Sequence, residues 1–115
     1  MEKDLLESLK KVILQSRNLP VIVEGKKDRH SLEKLGFVEI VCINRLPLYK
    51  LVENIRAKEV LILTDLDSEG RKIYSELQKQ LSARGIRINN HLRKLLFKTE
   101  IRQIEGLAKY MERNS

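Results

Sequence analysis

The chain is poor in the residues that most often carry specialised chemistry. It has no tryptophan and only five aromatic residues, Phe37, Tyr49, Tyr74, Phe97 and Tyr110. So few rings speak against an aromatic base-stacking platform of the RRM or OB kind. A single cysteine, Cys42, excludes a disulfide framework and a multi-cysteine zinc site. No apolar run approaches the roughly 18 residues that span a bilayer. The opening Met1-Glu-Lys-Asp does not read as a signal peptide. A cytoplasmic domain with no membrane partner is expected. No internal repeat, low-complexity tract or linker interrupts the sequence.

What the chain does have is charge and enough apolar residues for one core. Its 115 residues fit a single domain, with 42% hydrophobic and 34% charged side chains. The net charge of +7 is unevenly spread. Residues 1–76 hold 14 basic and 13 acidic side chains, and residues 100–115 hold three of each. Between Leu77 and Thr99 stand six basic side chains (Lys79, Arg84, Arg87, Arg93, Lys94, Lys98) and no carboxylate, giving +6 of the +7. A stretch of one sign is a candidate footprint for a polyanion such as nucleic acid, with a solvated helix face as the plainer alternative.

Leu5, Leu6, Leu9, Val12 and Ile13 recur at helical spacing and predict an amphipathic helix over 3–17, broken by Asn18-Leu-Pro20. Val21-Ile-Val23 is a short unalternating β-branched run, the pattern of a parallel strand buried on both faces. Helix then follows from Lys27 to Leu35, strand over 38–43, and helix from Pro47. Val60-Leu-Ile-Leu63 reads as a third buried strand, with helix from Ser68 or Glu69 to Arg84 and a short strand at 86–88. Residues 91–98 are ambiguous, and a last helix covers about 104–113. This alternation predicts a three-layer α/β sandwich on a four-stranded, mostly parallel sheet.

Two of the most apolar strands run into acid: Glu24 after Val21–Val23, and Thr64-Asp65-Leu66-Asp67 after Leu63. In open α/β sheets ligands bind beyond the carboxyl ends of the strands, where neighbouring strands diverge to opposite sides. With strand order 2-1-3-4 that crevice lies between Glu24 and Asp65. Adjacent strands are about 4.8 Å apart, so these carboxylates repel one another unless a cation intervenes. Mg²⁺, or Mn²⁺ in its place, suits such oxygen donors and is typically held by one or two carboxylates plus substrate phosphates. The plainer alternative makes Asp67 a helix cap and pairs Glu24 with Lys26 or Lys27. Gly25 and Gly70 allow close backbone approach to a phosphate or a neighbouring turn. Lys26 and Arg71 directly follow these glycines, and Arg93 and Lys94 lie in the basic stretch. All six are candidates for contact with phosphate or nucleic acid. His30 and His91 are expected at the surface, and Cys42 is expected to be buried in its strand.

Val23-Glu24-Gly25-Lys26-Lys27-Asp28 and Thr64-Asp65-Leu66-Asp67-Ser68-Glu69-Gly70 together resemble the signature of the Toprim family: a Glu-Gly after the first strand and an Asp-x-Asp-x-x-Gly after the third. The match runs from residue 19 to about 90, inside one domain over 1–115. The resemblance implies a Rossmann-like sheet and a cation held by Asp65 and Asp67, with Glu24 contributing. It also implies phosphodiester chemistry with Glu24 as general acid or base. The chain is similar to small stand-alone Toprim proteins of the ribosomal RNA maturation nuclease type. A small nuclease acting on structured RNA or DNA is therefore expected, the alternative being a non-catalytic nucleic-acid-binding or scaffold module. That nuclease carries a further RNA-binding region with no counterpart in these residues, so a protein partner is expected to supply recognition. No nucleophilic-tyrosine domain accompanies the motifs, and topoisomerase activity is not expected.

Overall fold

Successive residues of the central strands are buried on opposite faces, which dictates the layers. The computed structural model describes residues 2–115, with helix α1 at Glu2–Ser16, strand β1 at Val21–Val23, α2 at Lys26–Lys34 and β2 at Ile40–Cys42. They are followed by α3 (Leu48–Glu53), β3 (Glu59–Ile62), α4 (Ser68–Ala83), β4 (Arg87–Ile88) and α5 (His91–Leu96). A 3₁₀ turn at Ile104–Gly106 leads into α6 at Leu107–Arg113. The four strands are parallel in the order β2-β1-β3-β4, as the sequence predicts.

Val21 and Val23 of β1 pack with Leu61 and Leu63 against Leu9, Val12 and Ile13 of α1, Leu92 and Leu96 of α5, and Leu107 of α6. Ile22, Val60 and Ile62 face the other way, onto Leu51 and Val52 of α3 and Leu77 and Leu81 of α4. Both faces of β1 and β3 are thus covered, the reason their sequences show no polar alternation. Each fully buried leucine here contributes about 2 kcal/mol.

Three local departures have simple causes. The second strand is shorter than expected because Val38 points outward, 71% exposed, with its N–H bonded to the Arg17 carbonyl. Within the ambiguous stretch 91–98, His91–Leu96 are helical because Leu92 and Leu96 complete the α1 side of the core. Cys42 is half-buried, its sulfur accepting from Arg29 Nε at 3.3 Å. Among the described residues no helix is long and apolar enough to cross a membrane.

The chain leaves β1 for β2 on one side and β3 for β4 on the other. The switch point therefore falls between the carboxyl ends of β1 and β3.

Candidate functional site

Glu24 stands at this switch point. The β1–β2 ladder runs on past the strand ends, with Ile43 N–H donating to Val23 O and Asn44 N–H to Glu24 O. The Glu24 backbone is thus fixed, and its side chain crosses to β3, where Oε2 accepts from the Asp65 N–H at 2.8 Å. Burial raises the Glu24 pKa above the ordinary carboxylate range; that N–H opposes the rise, and Asp65, Asp67 and Glu69 add to it by repulsion.

Asp65 is held from the opposite direction. Its Oδ1 accepts from the Ile104 N–H at 2.9 Å, so the C-terminal segment anchors the acid. A parallel contact, Leu66 N–H to Arg102 O at 2.8 Å, fastens the same segment to the loop. Burial and then repulsion from Asp67 and Glu105 raise the Asp65 pKa, while the Ile104 N–H and Arg93 oppose the rise. Asp67 caps α4, accepting from the Gly70 N–H at 2.8 Å.

Gly70 is required for backbone packing. A Cβ there would lie 1.9 Å from the Asp65 carbonyl oxygen. Its own carbonyl accepts from the buried Thr64 hydroxyl at 2.7 Å, so its N–H and its C=O are both spent within the loop. This replaces the expected phosphate contact at Gly70. Gly25 differs: nothing lies within 4 Å of its Cβ direction.

Arg93 also departs from expectation. It is only 5% exposed, and its guanidinium donates to the carbonyls of Thr64 at 2.6 Å and Asp65 at 3.1 Å. A planar fork of five donors suits paired carbonyls, so Arg93 supports the acidic loop from inside and does not present itself to a phosphate. Its guanidinium lies 4.5 Å from the centroid of the Tyr74 ring. The remaining cations divide similarly. Arg87 pairs with Glu59 at 2.7 Å, and Arg84 donates to Val52 O at 2.8 Å. Lys26, Arg71, Lys79, Lys94 and Lys98 are exposed, as are His30 and His91.

Sequence reasoning assigned no role to Asp28. It is 8% exposed, and its Oδ2 accepts from the Gly25 N–H at 3.0 Å. Burial pushes its pKa up from 3.8 to about 6, with Asp65, Glu24 and Glu105 adding repulsion. An acid three residues after a helix cap was the available signal; its burial depends on the packing of α6 over α2, where Ser31 Oγ accepts from the Ala108 N–H. Also beyond sequence reach is a cavity of about 590 Å³ beside Asp67, lined by Arg102, Gln103, Lys109 and Arg113 together with Glu100 and Glu105.

The chemistry of the donors fits a hard divalent cation. Glu24, Asp65 and Asp67 each commit one oxygen to a backbone N–H, and among the described residues none is ion-paired with Lys or Arg. The plainer alternative is thus met for Asp67, which caps α4, and not for Glu24, which among the described residues pairs with neither Lys26 nor Lys27. Among the described residues no three acidic, His or Cys side chains converge tightly enough to enclose an ion by themselves. The set fits a cation held by one or two carboxylates and completed by substrate phosphate.

Known proteins resemble this chain in sequence and in fold. A UPF0292 protein of Methanocaldococcus jannaschii is 37% identical over 117 residues, covering 95% of this chain and 91% of its own. Another, from Pyrococcus abyssi, is 40% identical over 93 residues, covering 76% and 70%. A solved structure described as a putative protein from Aquifex aeolicus matches with a TM-score of 0.74 and 26% identity, over 90% of this chain and 95% of that one. The Toprim domain model matches residues 20–103, reaching beyond the expected core into the segment that anchors Asp65. The chain belongs to the Toprim domain family, whose function is metal-dependent and related to nucleic acid and whose acidic residues generally bind Mg²⁺.

Proposed function

We infer that this protein is a Mg²⁺-dependent nuclease that hydrolyses phosphodiesters of structured RNA or DNA. One observation carries the reading: Glu24 reaches across the switch point to the Asp65 backbone, and burial, with repulsion from neighbouring acids added, raises the pKa of both acids; among the described residues neither has a neutralising ion pair. Asp65 and Asp67 would hold the cation, and Mn²⁺ would serve in its place. When bound, the ion supplies positive charge to the phosphate oxygens and lowers the pKa of a water. The Glu24 carboxylate, with a raised pKa and one oxygen not hydrogen-bonded among the described residues, takes and returns the proton. Lys26 and Arg71, exposed in the first turns of α2 and α4, sit where phosphates would approach, and the open face of Gly25 leaves room beside them. The cavity beside Asp67, with Arg102, Lys109 and Arg113 in its wall, gives the strand a path along α6.

A second reading, a nucleic-acid-binding module without catalysis that works with a protein partner, draws on the missing three-way convergence of ligands.

Calorimetric titration with Mg²⁺ and a cleavage assay over RNA and DNA hairpins separate the two. The nuclease reading expects Mg²⁺-dependent cleavage by the wild type. It also expects both metal binding and cleavage to vanish in a folded Asp65→Asn/Asp67→Asn double variant. Metal and nucleic-acid binding without cleavage of any hairpin would favour the module; metal binding unchanged in the double variant would remove the site.

A further inference from the structure

Between α4 and α5, on the flank of the acidic loop, lies a small pocket of about 270 Å³ with Arg71, Tyr74, Asn90, Arg93, Lys94 and Phe97 in its lining. Its make-up differs from that of the cavity beside Asp67: two aromatic rings, backed by the buried Arg93, line it, with two exposed cations at the edge. Tyr74 and Phe97 are 23 residues apart in sequence and come together only because α5 packs beside α4. Arg93 lies between them, its guanidinium 4.5 Å from the Tyr74 centroid and 5.6 Å from that of Phe97.

These planar groups are fixed in position. Carbonyls of Thr64 and Asp65 hold Arg93, and Asn90 Oδ1 accepts from the Tyr74 hydroxyl. The Asn90 side-chain NH₂ makes no hydrogen bond among the described residues, leaving donors for an acceptor in the pocket. Phe97 stands at the C-cap of α5 and is 40% exposed, so its ring is accessible from the pocket. The volume falls just below the range of about 300–1,000 Å³ for drug-sized ligand pockets, which favours one ring system over an extended ligand.

We propose that this pocket receives one unpaired nucleobase of a single-stranded segment, stacked on the exposed Phe97 ring, with Arg71 and Lys94 on the flanking phosphates. The inference rests on the nucleic-acid reading above and narrows its substrate class to structured RNA or DNA with an unpaired stretch beside the cleavage site. Aromatic rings and arginine planes are the surfaces on which splayed bases stack. A base inside a duplex is already stacked and cannot enter unless it is flipped out. Arg93 joins pocket and site, because the guanidinium packed against the two rings also holds the Asp65 carbonyl. Arg71 follows Gly70, so a strand leaving the pocket along it runs toward the Asp67 cap of α4.

Fluorescence anisotropy in EDTA tests the pocket apart from catalysis. The probes are a labelled hairpin with a four-nucleotide unpaired overhang and the same hairpin with a blunt end, each made as RNA and as DNA. The wild type is expected to bind the overhang at least tenfold more tightly than the blunt form. Phe97→Ala should lose roughly 5- to 100-fold on the overhang, in line with the loss of one base–aromatic stack, and nothing on the blunt hairpin. Phe97→Leu keeps the apolar contact with the fold and should show the same selective loss, while Phe97→Trp should restore binding. The slope of log affinity against log salt should stay unchanged in Phe97→Ala and flatten by about 0.7 in Arg71→Ala or Lys94→Ala. Equal affinity for overhang and blunt end, or a folded Phe97→Leu that binds like wild type, overturns the pocket and leaves the nuclease reading standing. Binding to no probe at all overturns both and turns the exposed Phe97 into a contact for protein.

Discussion

In the loop between β3 and α4, nearly every polar group is bonded inward: the Thr64 hydroxyl to Gly70, Asp65 to Ile104, Asp67 to Gly70, and the Thr64 and Asp65 carbonyls to Arg93. The two-residue loop between β1 and α2 is bonded too, with Glu24 held by Asp65 and Asn44 and Gly25 by Asp28 and Arg29, but it is not crowded: the space beside Gly25 is open. Both loops place an acid, a glycine and a cation after a buried strand, so they look alike in sequence. Their difference in construction assigns them different work. The β3–α4 loop is a fixed template for two carboxylates, whereas the β1–α2 loop leaves an open gap beside Glu24, the route for phosphate in the proposed function.

The strongest way to break this comparison is at the paired glycines. Gly70→Ala forces a Cβ to 1.9 Å from a backbone carbonyl that has no room to retreat, and a loss of about 3 kcal/mol or more is expected by chemical denaturation. A Gly70→Ala protein as stable as the wild type would mean the β3–α4 loop yields easily, contrary to the template picture.

Arg93 and Lys94 sharpen the same contrast one residue apart. Arg93→Ala removes a buried guanidinium from two carbonyls and is expected to cost about 2–3 kcal/mol. Lys94→Ala, at an exposed position, should stay within about 0.5 kcal/mol. Melting curves of the two variants check this directly.

Asp28 adds a pH dependence. Its folded pKa of about 6 lies above its ordinary 3.8, so between those values the folded protein binds a proton the unfolded chain has released. Stability from this group is therefore present below about pH 4 and lost as pH rises through 6, by roughly 2 kcal/mol once partial access of water is allowed for. Asp28→Asn should gain most of that at pH 8 and nothing at pH 4. A gain that does not vary with pH would trace it to packing.

The smallest effect on stability belongs to Gly25. Its φ of −153° is extended backbone that any residue adopts, and Gly25→Ala should change stability by less than about 0.5 kcal/mol. The same substitution should weaken nucleic-acid binding, because the methyl group fills the gap beside Glu24. Unchanged binding would close that gap as a route for phosphate.

Much of the fold was legible because it is written in local pattern. Unalternating β-branched runs marked β1 and β3 as buried on both faces, and acids at their ends marked the switch point. What escaped depends on contacts across long stretches of chain. Nothing near Arg93 in sequence says that it will bond to Thr64, 29 residues away, so a buried support read as surface charge. Ile104 lies 39 residues from the carboxylate it holds, and that contact makes the C-terminal segment part of the site. Tyr74 and Phe97 looked like two scattered rings until α5 brought them together around Arg93. The burial of Asp28 was hidden for the same reason, since α6 covers it from the far end of the chain.

The central claim is that Glu24 moves a proton while Asp65 and Asp67 hold the cation, and single-turnover cleavage by Glu24→Gln tests it most directly. The substitution keeps the shape of the side chain and an oxygen for the Asp65 N–H but cannot exchange a proton in this role. On the hairpin the wild type cleaves best, with Mg²⁺ saturating, the account predicts near-normal metal and nucleic-acid affinity and a rate lower by roughly a hundred- to ten-thousand-fold. Cleavage at the wild-type rate would contradict it.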